Sequence, residues 1–561
     1  MNGAPRDASP LYPAQSANGP LLRIGLLIDA VRVPAWIARV AEQIQGSGFC
    51  RIECVIDSNG ARDRDIRPRN YLYNPYARLD ARLRRGPHSA LHERDLASIL
   101  TDAVWMHVVP ARELGDALPA HADVERIRAA NLDVLLRFGF TREWARGLAS
   151  AARYGVWDYA FGSGSEAGGD SSLFREIQRG DPVSTSELWQ WTPTSTAPQL
   201  LFRSHGSTHP HSLEMARQAA CWKASNFTMR RLRELATTGG LARMEPRSLP
   251  AESRAPLGTL EMGRFLARNV AHQARAFVRN RTRVEHWSIL WRKSRQLDPD
   301  KPAFEGAREL PCPRGHFYAD PFLFRHEDKD WLFFEDYDYT LGKADIAAIS
   351  FDADGPVDTA RTVFKLEEHL SYPYIFEWRG QIYLMPEIGD VGGPVRLFRA
   401  RRFPDDWELA SELLSGHRAV DATLHEHAGR WYLFVNICET AGSSENDELF
   451  LFHAETPLGP FLPHPQNPIV SDVRHARPAG RIFSHAGRWI RPSQDCAGGY
   501  GRAVVFNEIL VLDPERYEER SLGRLAADRE HGFTGCHTYA ASGNLEVVDV
   551  KRPRFRFAVE A

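Results

Sequence analysis

Residues 318–336, YADPFLFRHEDKDWLFFED, hold the pattern that decides the fold of half the chain. A polar, turn-prone start leads into a short strand. Charged residues turn the chain, and a second, aromatic-rich strand follows. The layout returns in SYPYIFEWRGQIYLMPE (371–387), VDATLHEHAGRWYLFVN (420–436), ARPAGRIFSHAGRWIRPSQD (476–495) and CHTYAASGNLEVVDVKR (536–552). Asp320, Pro373, Asp421, Pro478 and His537 mark equivalent points, 53, 48, 57 and 59 residues apart. Such an interval is close to the length of one four-stranded propeller blade. Residues 287–561 are therefore expected to form an all-β, five-bladed β-propeller. Trp287–Ser294 (WSILWRKS) would add an outer strand that closes it. A long sandwich does not repeat one hairpin at this spacing.

Upstream the pattern is α/β. Leu22–Asp29, Arg51–Ile56, Asp133–Gly139 and Gly155–Tyr159 read as buried strands. Pro34–Gln45 and a stretch near Glu143–Arg153 read as helices. Alternation of this kind predicts a doubly wound, Rossmann-like domain over 21–236, so the chain is multidomain. Residues 1–20, rich in Pro, Ser and Gly, are expected to be disordered. Asn59–His92 reads as an insertion or long loop. Residues 237–286 read as a linker with a basic helix, Leu260–Arg279, bearing Arg264, Arg268, Arg275 and Arg279. Packing against a domain is its simplest role; contact with a membrane surface is the other.

Composition narrows the function classes. At 561 residues and 63.4 kDa, several domains are expected. A formal charge of −2 argues against a general polyanion binder, hence against nucleic acid. Apolar runs such as Leu21–Ile28 fall short of the ~20 residues a bilayer span needs, so membrane contact is at most peripheral. The first residues lack a signal-peptide pattern. Seven scattered cysteines form no disulfide framework or zinc spacing, which fits a cytoplasmic setting. Among the 70 basic residues only 7 are lysine, the codon signature of a GC-rich, bacterial genome.

Inner strands of a propeller start at one shared funnel, so equivalent polar positions converge there. Asp320 and Asp421 are candidate catalytic carboxylates, with Glu335 and Glu387 as further acids. Two carboxyls reaching one cleft can act as base or nucleophile and as acid. Tyr318, Tyr372, His425, Arg477, Arg491, Gln494, Asp495, Tyr500 and His537 are candidate substrate-binding residues. Arginine suits a bidentate grip on phosphate, so the expected ligand is a glycan or a phosphate-bearing sugar donor. His425 and His427 share a strand face, but no further ligands stand at metal spacing, and no catalytic metal is expected.

The repeat region resembles arabinanase- and invertase-type glycoside hydrolases. That likeness implies that Asp320 is the base or nucleophile and Asp421 the stabilising acid. RPAGRIF (477–483) stands where those enzymes carry their acid Glu. YADPF, SYPYIFE, MPE, RPAG, IRPSQDC and CHTY are more similar to the propeller region that precedes the transferase domain in plant glucosamine inositolphosphorylceramide transferases and their bacterial relatives, which implies glycan or glycolipid biosynthesis and assigns this region no particular step in it. DVLLRFGF, ARYGVWDYAFG, SSLFREIQRGDP and ACWKASNF resemble the formyltransferase N-terminal domain, a family that uses 10-formyltetrahydrofolate. In that likeness Asp158 stands in place of the catalytic Asn and Ala160 in place of the His; Gly168 and Gly169 are kept at the cofactor loop. The domain is expected to keep its fold without the activity. The function expected is thus a carbohydrate-active transferase with its reaction centre in the funnel. The alternatives are a formyltransferase acting on an amino sugar and a non-catalytic scaffold working with polysaccharide-assembly proteins.

Overall fold

The computed structural model describes residues 8–14, 21–58, 71–108, 119–162, 165–166, 173–195, 197–242, 258–293, 296–352, 354–357, 359–389 and 392–559. Gly168 and Gly169, the first part of the Asn59–His92 stretch and residues 243–257 of the expected linker lie outside them. Two compact units emerge. One holds residues 14–271 with 440–444; the other holds 8–13, 272–439 and 445–559. The division falls inside the helix Thr259–Thr282.

The first unit is built on a mixed sheet. Its strand order is Val104–His107, Cys50–Asp57, Leu22–Ile28, Val134–Arg137, Val156–Phe161, Val183–Trp191 and Gln199–Ser207. The first five run parallel to one another; Val183–Trp191 runs against them, and Gln199–Ser207 pairs antiparallel with it. Leu22–Ile28 can sit in the middle because it is apolar nearly throughout, as a strand covered on both faces must be. The helix Ala35–Gln45 buries Trp36, Ile37, Val40 and Ile44, and the Trp36 ring meets Tyr159 and Phe161 edge-on. Asn59–His92 is not all loop, since Tyr73–Arg84 is a helix. The basic helix packs its first half into this core through Met262 and Phe265, the simpler of its two readings.

The second unit is antiparallel β. His316–His326, Lys329–Asp338, Lys343–Phe351 and Arg361–Phe364 form the first four-stranded set. The 22-residue strand Asp406–His427 joins two more. Its start pairs with Gly393–Arg402, after Leu370–Trp378 and Gln381–Ile388. Its end pairs with Arg430–Cys438, followed by Leu449–Ala454 and Leu462–Pro463. A fourth set runs Phe483–His485, Arg488–Asp495, Ala503–Leu512 and Tyr517–Ala526. In the fifth, the hairpin Tyr539–Ser542 and Leu545–Phe555 pairs with Arg283–Lys293, from the opposite end of the repeat region. The aromatic second strands of the first three sets fill the cores: Phe333, Tyr383 and Phe434 are all buried.

Part of the tail expected to be disordered is held by this unit. Ser9 N–H donates to Ser415 O at 3.0 Å, Asn467 Nδ2 donates to Leu11 O at 3.0 Å, and Tyr12 OH reaches Glu439 at 2.9 Å. The sequence missed this because each bond is made to a residue more than 400 positions away.

Candidate functional site

Three inner strands carry the same irregularity. Pairing slips between Ala319 and Phe322, between Ser371 and Tyr374, and between Val420 and Thr423, so two residues oppose one. The first bulged residue is left-handed each time: Asp320 (φ 50°), Tyr372 (φ 45°) and Asp421 (φ 52°). The second is Pro321, Pro373 or Ala422. Proline suits that place because the unpaired position wants no N–H donor. Non-glycine residues with positive φ cost roughly 1–3 kcal/mol each and collect at functional sites. The bulges turn Asp320, the Tyr372 backbone and Asp421 toward one another.

Asp320 is the hub. Its carboxylate accepts from Thr538 Oγ1 at 2.7 Å and from Tyr372 N–H at 3.2 Å, and His537 Nε2 lies 3.7 Å away. Its own N–H donates to Asp549 at 3.0 Å. Asp549 also accepts from the His537 and Thr538 amides, both at 2.9 Å, and faces His537 Nδ1 at 2.5 Å. Across the cluster, Asp421 accepts from Arg477 Nε at 2.5 Å and Gln494 Nε2 at 2.7 Å, while its N–H donates to Glu387 at 2.9 Å. Tyr372 OH bonds Thr423 at 2.9 Å and accepts from Gly480 N–H at 2.7 Å. Four of the five β sets thus meet side chain to side chain, and Tyr372 brings in the other.

The electrostatics follow from burial. Desolvation, with Asp421 and Asp549 nearby, pushes Asp320 up to about 6 against the pull of His537. Burial, with Asp320 and Glu387 as neighbours, holds Glu335 well above the usual carboxylate range. Burial and Asp421 do the same to Glu387. Burial works against the His537 imidazolium, but Asp549 and Asp320 raise it above an ordinary imidazole. Three raised carboxyls beside a raised imidazole are the pattern that burial and neighbouring charges impose.

Folding linkage gives these shifts a test. A carboxyl whose folded pKa lies above its unfolded value stays protonated in the fold after the unfolded chain has lost the proton. Stability then falls as pH rises through the interval. For Asp320 the window runs from 3.8 to about 6, and Glu335 extends it upward. His537, raised, also loses its contribution as pH climbs. Burial lowers His286, His425 and His464 to about 4, which opposes that trend over the same interval. Urea unfolding at stepped pH should therefore show the decline as the difference between the parent and a Glu335 variant. Glu335→Gln should flatten it and leave the chain more stable above pH 6 by about 1–2 kcal/mol.

Several expected binding residues are committed elsewhere. Arg477 spends its guanidinium on Asp421 and on Asn446 at 2.9 Å, so the expected grip on phosphate is an internal ion pair. Arg491, 1% exposed, is bidentate to Glu519 at 2.8 and 2.7 Å and bonds the carbonyls of His475 and Ala476. Asp495 pairs with Arg524 at 2.9 Å and accepts from Ala497 N–H. Tyr318 packs its ring on Phe334 in a neighbouring core. His425 meets Trp489 edge-on, away from the carboxyls, and burial lowers it to about 4. Gln494, Tyr372 and His537 do join the cluster. Tyr500 covers it, 38% exposed, with the Arg477 guanidinium 4.8 Å from its ring centroid.

The sequence reading missed Thr538, Asp549, Trp287 and Lys551. Trp287 stacks on His537 at 3.9 Å, and Lys551 Nζ donates to Tyr500 O at 2.6 Å. Asp549 had a signal: a lone acid in the apolar run VVDV (547–550). Asp320, His537 and Asp549 bring ligand-type atoms within 4.8 Å of one another, which the sequence spacing did not reveal. Here the imidazole lies between the two carboxylates and supplies the neutralising charge. The carboxyls are closely covered: Asp320, Glu335 and Asp421 are 4%, 7% and 2% exposed. Two open surface cavities lie elsewhere. One, of about 430 Å³, lies by Arg82 and Arg85; the other, of about 270 Å³, lies by Cys312 and Arg554.

In the α/β unit Asp158 is fully buried between two arginines. Arg137 Nε donates to it at 2.8 Å and Arg142 Nε at 2.6 Å. Ala160 is buried in the same strand.

Residues 307–547 match the family described as glucosamine inositolphosphorylceramide transferase 1, N-terminal. The chain is 37% identical over 207 residues to glucosamine inositolphosphorylceramide transferase 1 of Oryza sativa subsp. japonica, covering 36% of this chain and 28% of that protein. It is 35% identical over the same length to the Arabidopsis thaliana protein of that name, covering 36% of this chain and 27% of that protein. The chain therefore spans little more than a quarter of the curated relatives it matches. Among solved structures, a thermostable family-43 glycoside hydrolase aligns at 15% identity and a TM-score of 0.29, covering 38% of this chain and 77% of that one. In its second unit the chain is thus similar to the N-terminal region of these transferases.

Proposed function

We propose that the chain is a carbohydrate-active transferase of glycan or glycolipid biosynthesis, with its reaction centre among Asp320, Glu335, Glu387 and Asp421. The observation that carries this reading is the meeting of four carboxyls from separate strands, three of them held protonated past their ordinary range. The named relatives support it, since their names state transfer to an inositolphosphorylceramide. In this reading the five four-stranded sets close as a five-bladed propeller, and Asp320 takes the proton of the attacking hydroxyl. Glu335 or Glu387 protonates the leaving group. The Tyr500 segment moves aside to admit a sugar. The ligand is a sugar donor bearing phosphate. A bacterial setting and a formyltransferase ancestry for the α/β unit belong to the proposal, as does an inactive folate site.

A second reading has its own support. Asp421 Oδ2 and both oxygens of Asp549 are taken by protein donors, as locks between β sets would be. That favours a glycan-binding or scaffold role. Mass spectrometry of glycolipids and surface glycans from cells with and without the gene separates the readings. Loss of a whole sugar unit is the expected result. A change of one formyl group would move the activity to the α/β unit, and unchanged glycans would favour the scaffold.

A further inference from the structure

The ribbon formed by Arg283–Lys293 and Leu545–Phe555 carries one continuous face. Cross-strand partners share a side and alternate every second residue. The register therefore puts Ile289 with Asp549, Trp287 with Lys551, Glu285 with Pro553 and Arg283 with Phe555 on a single stripe. It begins at the carboxyl cluster, where Asp549 and Trp287 hold His537, and runs out to the ribbon tip.

At that tip the surface changes. Phe555 and Phe557 are 45% and 73% exposed and stack at 5.4 Å. Beside them the end of the long helix exposes Phe277 (60%) and Val278 (59%). The two pieces are joined: the Arg556 guanidinium donates to Asn280 O at 3.2 Å. Arginines sit over the rings, Arg281 on Phe277 and Arg283 on Phe555, each at 4.7 Å. Residues 272–284 hold four arginines and no acid; residues 551–561 hold three arginines, one lysine and one acid, Glu560. The neighbouring acids Glu285 and Glu309 are paired, with Lys551 and Arg552.

Exposed phenylalanines set among the exposed Arg275, Arg279, Arg281 and Arg283 form the amphiphilic surface that seats at a lipid–water interface bearing negative headgroups. A protein partner would not require so one-sided a charge. No helix among the described residues is long and apolar enough to cross a membrane, so this surface would lie on the bilayer. We infer that Phe277, Val278, Phe555 and Phe557, with Arg275, Arg279, Arg281 and Arg283, dock the chain on an anionic bilayer. The stripe then leads from the lipid surface to the carboxyl cluster, which suits an acceptor presented in a membrane. The docking itself does not depend on the transfer reaction.

Sedimentation of the full chain with vesicles tests it. The protein should pellet with phosphatidylcholine vesicles containing phosphatidylserine, should not pellet with phosphatidylcholine alone, and should be released by high salt. Phe277→Ser with Phe557→Ser should weaken retention about tenfold or more. Arg279→Glu with Arg281→Glu should abolish it, with melting temperatures unchanged because these side chains are exposed. Asp320→Asn should bind as the parent does, which separates docking from the reaction. Equal binding to both vesicles, no binding to either, variants that bind like the parent, or tighter retention on RNA would each overturn the inference.

Discussion

Asp320→Asn is expected to slow formation of the glycan product by about 10²–10⁴-fold while the protein stays folded. The backbone there sits at φ 50°, a conformation that asparagine tolerates better than other residues with a β-carbon. The amide oxygen can still accept from Tyr372 N–H or Thr538 Oγ1, so about one buried hydrogen bond is lost, roughly 1–2 kcal/mol. What asparagine cannot do is take up a proton or balance the His537 charge. Asp320→Ala is the contrasting variant. It loses both acceptors and leaves His537 with one carboxylate, so it should fall in stability by about 3 kcal/mol or more. Product is read by mass spectrometry from cells carrying each variant, and folding by urea melts of the purified chain. An Asn variant that restores the full glycan would remove Asp320 from the chemistry and favour the scaffold reading.

What the sequence disclosed was periodic. Strands and hairpins repeat with apolar alternation, so the segments at 318–336, 371–387 and 420–436 fall on observed hairpins. The same alignment slipped by one residue in the second segment, because it was anchored on Pro373 while the left-handed residue is Tyr372. In the fourth segment residues 477–479 run beside 492–494 through single bonds, and only Phe483–His485 completes a strand. Partner identity was the larger blind spot. Arg477 and Arg491 looked like free cations because Asp421 and Glu519 lie 56 and 28 positions away. His425 shares a strand with Asp421, yet four residues at ~3.3 Å each carry it about 13 Å along. Depth too was invisible in sequence: the convergence was legible, the cover over the carboxyls was not.

The other large effect belongs to the α/β unit. Asp158→Asn should destabilise it by about 3–5 kcal/mol, the cost of leaving a buried charge without its partner. Arg137 and Asp158 are register partners on adjacent parallel strands, and Arg142 comes from the next helix. Each arginine takes one carboxylate oxygen, and Arg137 also donates to Phe140 O at 2.8 Å, tying the strand end to the turn. Asparagine carries no charge, offers one acceptor and turns its amide N–H toward a guanidinium, so both arginines lose Asp158 as their counter-charge. Urea unfolding of the full chain, with hydrogen exchange followed in Val156–Phe161, would assign the loss to this unit. A cost under about 1 kcal/mol would show that the pair contributes little there. Asparagine is also the residue that the formyltransferase likeness expects, and Ala160→His would restore the second. If the double variant gains formyl transfer from 10-formyltetrahydrofolate, the unit is a disabled enzyme. If it only unfolds more easily, Asp158 is now a structural charge, and the fold has been rebuilt around the loss.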